Sequence, residues 1–394
     1  LQSWLNYDKN SRILMIIKEV NVRFFAQAVM VTSLCLWACA YGYDNHIRLA
    51  VFDNPKIDPD NTAVSKSLEK SYLAGVKTAV SVAQAKGIVV NYKAFFYGDS
   101  LLDIIQNVPS VEAWKPDVIV GLHNSNQFLM SKNYFDDRLV LSVAATDPSL
   151  PNLPDNFYSL GVPDTYTANA MVNFLTKHYP QANIFLAVET DSKESVDMAN
   201  LLTNIYQKQE HSKQVTRSEF LADNLNNIDM KRFLQNYHKN DVVIVLTVTY
   251  YTQMNLVQKI ARTLKPLHPV FLTDVDNWGD TSIPPGINAT YEAYRITPAL
   301  YEPANSEYAH FLQAYEALYG DLPVDRVSFV AYEAVMSVVT ALKEFPPLEH
   351  LSSEKAVRYS YALALKQNPN WYRPMHFVVY KMQPPKEMYF DTID

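Results

Sequence analysis

The feature that most constrains this chain is an alternation: a short apolar, β-branched run, a stretch with helical spacing, then another apolar run. Residues 47–52 (IRLAVF) form the first run. Over residues 64–86, Leu68, Tyr72, Val76, Ala79, Val80 and Ala83 share one helical face. Residues 88–96 are β-branched and aromatic. Residues 101–114 read as a helix, with a break expected near Pro109. Residues 118–121 and 139–143 are apolar enough to be core strands. This β–α–β rhythm predicts parallel strands with helices on both faces.

The rhythm restarts after Tyr158. Helical spacing covers 167–178, 193–209, 228–237, 253–264, 306–319 and 327–343. Strand-like runs cover 183–188, 215–220, 241–246 and 270–273, and 291–296 is extended. A chain of 394 residues exceeds one ordinary core. The expected fold class is therefore α/β with two Rossmann-like lobes. The segments near 157–160 and 293–297 read as connectors between them.

Hydrophobic residues make up 48% of the chain and charged residues 19%, which is globular and not disordered. The net charge of −7, without a basic patch, argues against nucleic acid as a partner. The nine glycines contain neither a Gly-x-Gly pair nor a Gly-x-x-x-x-Gly pair, so neither a dinucleotide fingerprint nor a P-loop is present. There is no Gly-x-Ser-x-Gly elbow and no His-x-x-x-His pair. Neither a cofactor, nor a metal, nor a catalytic residue is expected. Acidic neighbours such as Asp136 and Asp137 read as solvated loop charges.

Residues 1–40 read as a signal peptide. Lys18 and Arg23 supply a mildly basic region, residues 24–37 carry no charge, and Ala38-Cys39-Ala40 is a small-x-small cleavage pattern. Residues 1–14 precede the start expected at Met15. Both cysteines, Cys35 and Cys39, fall in this leader, so no disulfide or thiol metal site is expected beyond it. A second reading makes Cys39 a lipidated first residue, the one expected route to a membrane contact.

Open parallel sheets bind ligands at the carboxyl ends of their strands. Two adjacent strand ends here carry small or hydroxyl side chains. Residues 118–121 run into "LHNSNQF", with Ser125 ahead of a helix. Residues 139–143 run into Ala144, Ala145 and Thr146. Small residues admit a ligand to the backbone, and hydroxyls with amides suit an anionic group. The same residues also serve as ordinary helix and turn caps.

Several stretches together resemble the type I periplasmic binding proteins, in particular the branched-chain amino-acid-binding family of ABC importers. They are "DVIVGLHNSNQ", "LSVAATDPSL", "VLTVTYYTQMNLVQKIAR", "VFLTDVDNWGD" and "SFVAYEAVMSVVTAL". The resemblance implies two lobes joined by a multi-strand hinge: 45–159 plus 297–345, and 160–296 plus 370–394. It also implies that Ser125, Ala144 and Thr146 hold an α-carboxylate. Asp276 would take the α-ammonium from the other lobe. Tyr250 or Tyr251 would close over the ligand, Asp164 or Thr165 would add a polar contact, and Phe52 would border the side-chain pocket. Implied with it are a small amino-acid-like ligand, a membrane permease as partner and a periplasmic or envelope location. An envelope sensor on the same fold is the alternative, and an exported hydrolase a more distant one. Three departures from the family pattern stand out, one of them a C-terminal part, "HFVVYKMQPPKEMYF", in place of a longer strand-rich ending. The segment after the first strand, Phe52-Asp53-Asn54-Pro55-Lys56, lacks glycine. Ser192-Lys193 stands where an aromatic-glycine pair is usual.

Overall fold

The computed structural model describes residues 46–393 except 54–61, 97–100, 123–124, 136, 148, 210–212, 223, 225–227, 248–249, 274–290, 300–304, 324–326, 348–350, 369–376 and 384–385. The leader and its cysteines lie outside the described residues. None of the described helices is long and apolar enough to cross a membrane.

The first sheet has five parallel strands in the order β2-β1-β3-β4-β5. They are β1 (His46–Asp53), β2 (Val89–Phe96), β3 (Val118–Val120), β4 (Leu139–Ser142) and β5 (Phe157–Ser159). Side-chain alternation sorts each strand between two cores. Ile47, Leu49 and Val51 pack under α1 (Thr62–Ala85), α8 (Ser306–Tyr319), α9 (Val327–Glu344) and α10 (Ser353–Gln367). Ala50 and Phe52 pack on the other face, under α2 (Leu101–Trp114) and α3 (Ser125–Ser131). Gly75 lets α1 and α9 touch backbone to backbone, because a Cβ there would lie 1.9 Å from the Ser328 carbonyl oxygen.

The second sheet has seven strands in the order β12-β11-β10-β9-β8-β6-β7. Five are parallel: β6 (Ile184–Glu189), β7 (Val215–Phe220), β8 (Val242–Leu246), β9 (Val270–Thr273) and β10 (Glu292–Pro298). The last two, β11 (Phe377–Gln383) and β12 (Lys386–Ile393), add antiparallel at one edge. One face carries α4 (Asp164–His178) and α5 (Lys193–Gln209); the other carries α6 (Met230–Phe233) and α7 (Tyr250–Thr263). The chain passes between the sheets after β5, after β10 and after α10.

Two helices depart from expectation. α2 runs through Pro109 without a break. Pro109 is exposed, so the carbonyl it leaves unpaired one turn back can be hydrated. The helix expected over 228–237 shrinks to Met230–Phe233, capped by Asp229 accepting the Arg232 N–H.

Candidate functional site

The site is built at the carboxyl ends of β3 and β4. The chain leaving β3 must turn sharply to start α3. Gly121 takes φ 125° and Leu122 follows at φ 58°. An L side chain at 121 would be strained by that φ, and its Cβ would lie 2.1 Å from the Phe52 carbonyl oxygen. Leu122 accepts a left-handed conformation because its side chain is wholly buried and its carbonyl accepts the Ser142 hydroxyl at 2.9 Å.

This turn delivers Ser125 to the loop after β4. Ser125 is buried, and its Oγ accepts the N–H groups of Thr146 (3.1 Å) and Asp147 (3.3 Å). Neither bond uses the Ser125 hydroxyl proton. Two N–H donors on the oxygen strengthen that proton as a donor to an anion. Ser142 Oγ accepts the Ala145 N–H at 3.0 Å and a longer contact from the Ala144 N–H at 3.4 Å. The Ala145 carbonyl takes the Ser159 hydroxyl, and the Thr146 carbonyl takes the Asp164 N–H at 3.0 Å. The loop is therefore braced from four sides. Its amides, expected to bind an anion directly, are mostly committed within the protein. The Ala144 amide is the least committed, on an exposed residue, beside the half-buried Thr146.

The facing lobe offers different chemistry. Glu189 ends β6, is buried, and accepts the hydroxyl of Thr247, which follows β8. Gln253 of α7 donates to the Val245 carbonyl (3.0 Å) and to Thr273 Oγ (3.1 Å) at the end of β9. The carboxyl ends of three strands are thus tied together by buried polar groups. Lys193 joins the two lobes. It opens α5, and its Nζ donates to Asp147 on the loop after β4 at 2.7 Å. The carboxyl ends of β4 and β6 therefore face one another across this ion pair. Burial would raise the Asp147 carboxyl. Lys193, together with the Ser149 N–H and hydroxyl, outweighs that and holds it below the ordinary range.

Ser125, Ala144 and Thr146 come together in this loop, and Asp164 meets it through its backbone N–H. Asp164 and Thr165 are half-buried in the first turn of α4. Phe52, expected to border the ligand, is instead wholly buried, stacked on Phe95 at 5.8 Å and packed on Phe135 at 5.9 Å. Alternation explains this: position 52 shares the face of Ala50, under α2 and α3. Tyr250 and Tyr251 open α7, but their side chains, like Asp276 in 274–290, lie outside the described residues. Ser142, Asp147 and Glu189 were not anticipated. A serine inside "LVLSV" and charged residues at strand ends were the available signals. Among the described residues no group of three or more His, Cys, Asp or Glu side chains is placed to hold a metal.

Known proteins place this geometry. No curated protein matches the chain in sequence. Solved structures match its fold. A leucine-binding protein LivK from Thermotoga maritima superposes with TM-score 0.65 at 15% identity, covering 88% of this chain and 99% of that one. A solute-binding protein of an ABC transporter from R. palustris, in complex with benzoate, gives TM-score 0.64 at 11% identity, covering 88% and 96%. The LivJ substrate-binding protein from Streptococcus pneumoniae, in complex with isoleucine, gives 0.63 at 13%, covering 88% and 99%. The periplasmic binding protein family model matches residues 57–360. With two α/β lobes whose strand ends meet across a charged contact, this chain belongs to the periplasmic binding protein family.

Proposed function

We propose that this chain is the solute-binding component of an ABC-type importer and captures a small carboxylate-bearing ligand, amino acids first among them, between its lobes. The observation that carries the reading is the Ser125 hydroxyl. It is held by two N–H donors at the end of β3 and leaves its own proton to donate beside Ala144 and Thr146. A buried donor of this kind serves an anion that approaches once water is excluded. Contacts made only when the lobes meet make ligand binding favour closure. The closed form would then be recognised by a membrane permease. Export to the periplasm through residues 1–40, with or without a lipid on Cys39, belongs to the same reading. No chemical step is assigned to the protein.

Calorimetric titration with free amino acids tests it. Saturable binding by one of them is the expected outcome, weakened at least about tenfold in Ser125→Ala, the cost of one hydrogen bond to a charged group. Binding unaffected by that substitution removes the anion from this loop.

A further inference from the structure

Lys193 stands at the wrong end of its helix. It is the first residue of α5, a helix of 17 residues. The unpaired N–H groups at that end favour a carboxylate and disfavour an ammonium. The helix dipole does not favour a lysine there. Two carboxylates hold it instead: Asp197 one turn on at 2.5 Å, and Asp147 of the other lobe at 2.7 Å. Asp147 directly follows Thr146. Its carboxylate is 9% exposed, and its second oxygen takes the Ser149 N–H (2.8 Å) and hydroxyl (2.5 Å). A residue kept against local preference, reaching a buried partner on the facing lobe, marks function more than stability.

This contact changes what a ligand has to bring. In a cleft closed by a zwitterion, the carboxylate meets one lobe and the ammonium the other. Each end needs a partner to offset its desolvation. Here the chain spans the gap with opposite charges of its own. We propose that Lys193 is a specificity-determining residue. By clasping Asp147 it makes closure independent of a ligand ammonium. The cleft then takes small carboxylates whether or not they carry an α-amino group. The inference rests on the solute-binding reading above and names its ligand class.

The test is calorimetric titration of the purified protein with L-leucine and 4-methylpentanoate, which differ only by the amino group. The parent protein is expected to bind both, with dissociation constants within about tenfold of each other. Lys193→Met should weaken 4-methylpentanoate by about tenfold more than leucine, and Lys193→Arg should restore the parent ratio. That ratio is the decisive readout, because a merely structural role weakens both ligands alike. If Lys193→Met does not fold, Lys193→Gln carries the same measurement. Leucine binding with the amine-free acid more than about a hundredfold weaker overturns this inference alone. So does an unchanged ratio in the lysine variants. Failure of both carboxylates to bind overturns the carboxylate reading and this inference together.

Discussion

The two lobes solve one problem by opposite means. Both must finish a parallel sheet at the cleft without leaving polar backbone unsatisfied. The first lobe uses neutral hydroxyls: Ser125, Ser142 and Ser159 saturate one short loop, and one hydroxyl proton is left over. The second lobe uses a buried carboxylate and an amide, Glu189 on Thr247 and Gln253 on Thr273. Neutral hydroxyls lose little on desolvation and can be shared with a ligand. A buried carboxylate must keep its donors. The first lobe therefore keeps a hydroxyl proton uncommitted, while the second spends its polar groups holding strand ends in register.

The comparison can be broken most directly at Gly121. Gly121→Ala forces a side chain into φ 125° against the Phe52 carbonyl. It should cost about 3 kcal/mol or more in urea denaturation. Survival of full stability would show that the loop of the first lobe does not depend on this turn. The second lobe is probed by Thr247→Val, which removes the hydroxyl from Glu189. The expected loss is about 1–3 kcal/mol of stability with ligand affinity nearly unchanged, the reverse of Ser125→Ala. A large drop in affinity would erase the division of labour. The gentlest probe is pH. Glu333 on α9 is buried, and one of its oxygens has no hydrogen-bond partner among the described residues. Burial, then the charge of Glu307, push its carboxyl from the ordinary 4.5 up to about 8. The folded protein therefore keeps a proton that the unfolded chain has already lost. This group's stabilising effect is complete below 4.5 and fades as pH rises toward 8, by at most ~1.4 kcal/mol per pH unit. Glu333→Gln should flatten that slope in denaturation curves taken between pH 5 and 8.

Much of the fold was legible in the sequence because its elements are local. The helices Lys193–Gln209 and Ser306–Tyr319 and the strands Val215–Phe220 and Val270–Thr273 carry their own periodicity. α10 escaped notice. Its buried stripe of Ala356, Val357, Ser360, Tyr361 and Ala364 is small and partly polar, and is interrupted by charge. At the site, Ser125, Ala144 and Thr146 were legible as small or hydroxyl residues after apolar runs. Their bracing was not, because Ser142 looks like one polar residue in a strand. Nor was the Asp147–Lys193 pair: Lys193 stood out as a departure, but its partner lies 46 positions away and carries no local signature. Phe52 misled because a strand-end aromatic looks like a pocket wall until the pleat assigns its face.

The threading of the chain has a consequence for how it becomes a protein at all. Three of the four helices that cover the first sheet on one face, α8, α9 and α10 with Phe311, Phe329, Tyr332 and Tyr361, are translated after every strand of the second sheet but its last two. Those last two strands follow α10 in the chain. Neither half can close its core early, so a nascent chain stopped at Pro298 would lack part of both. The first core must wait for α10, and the second for β11 and β12.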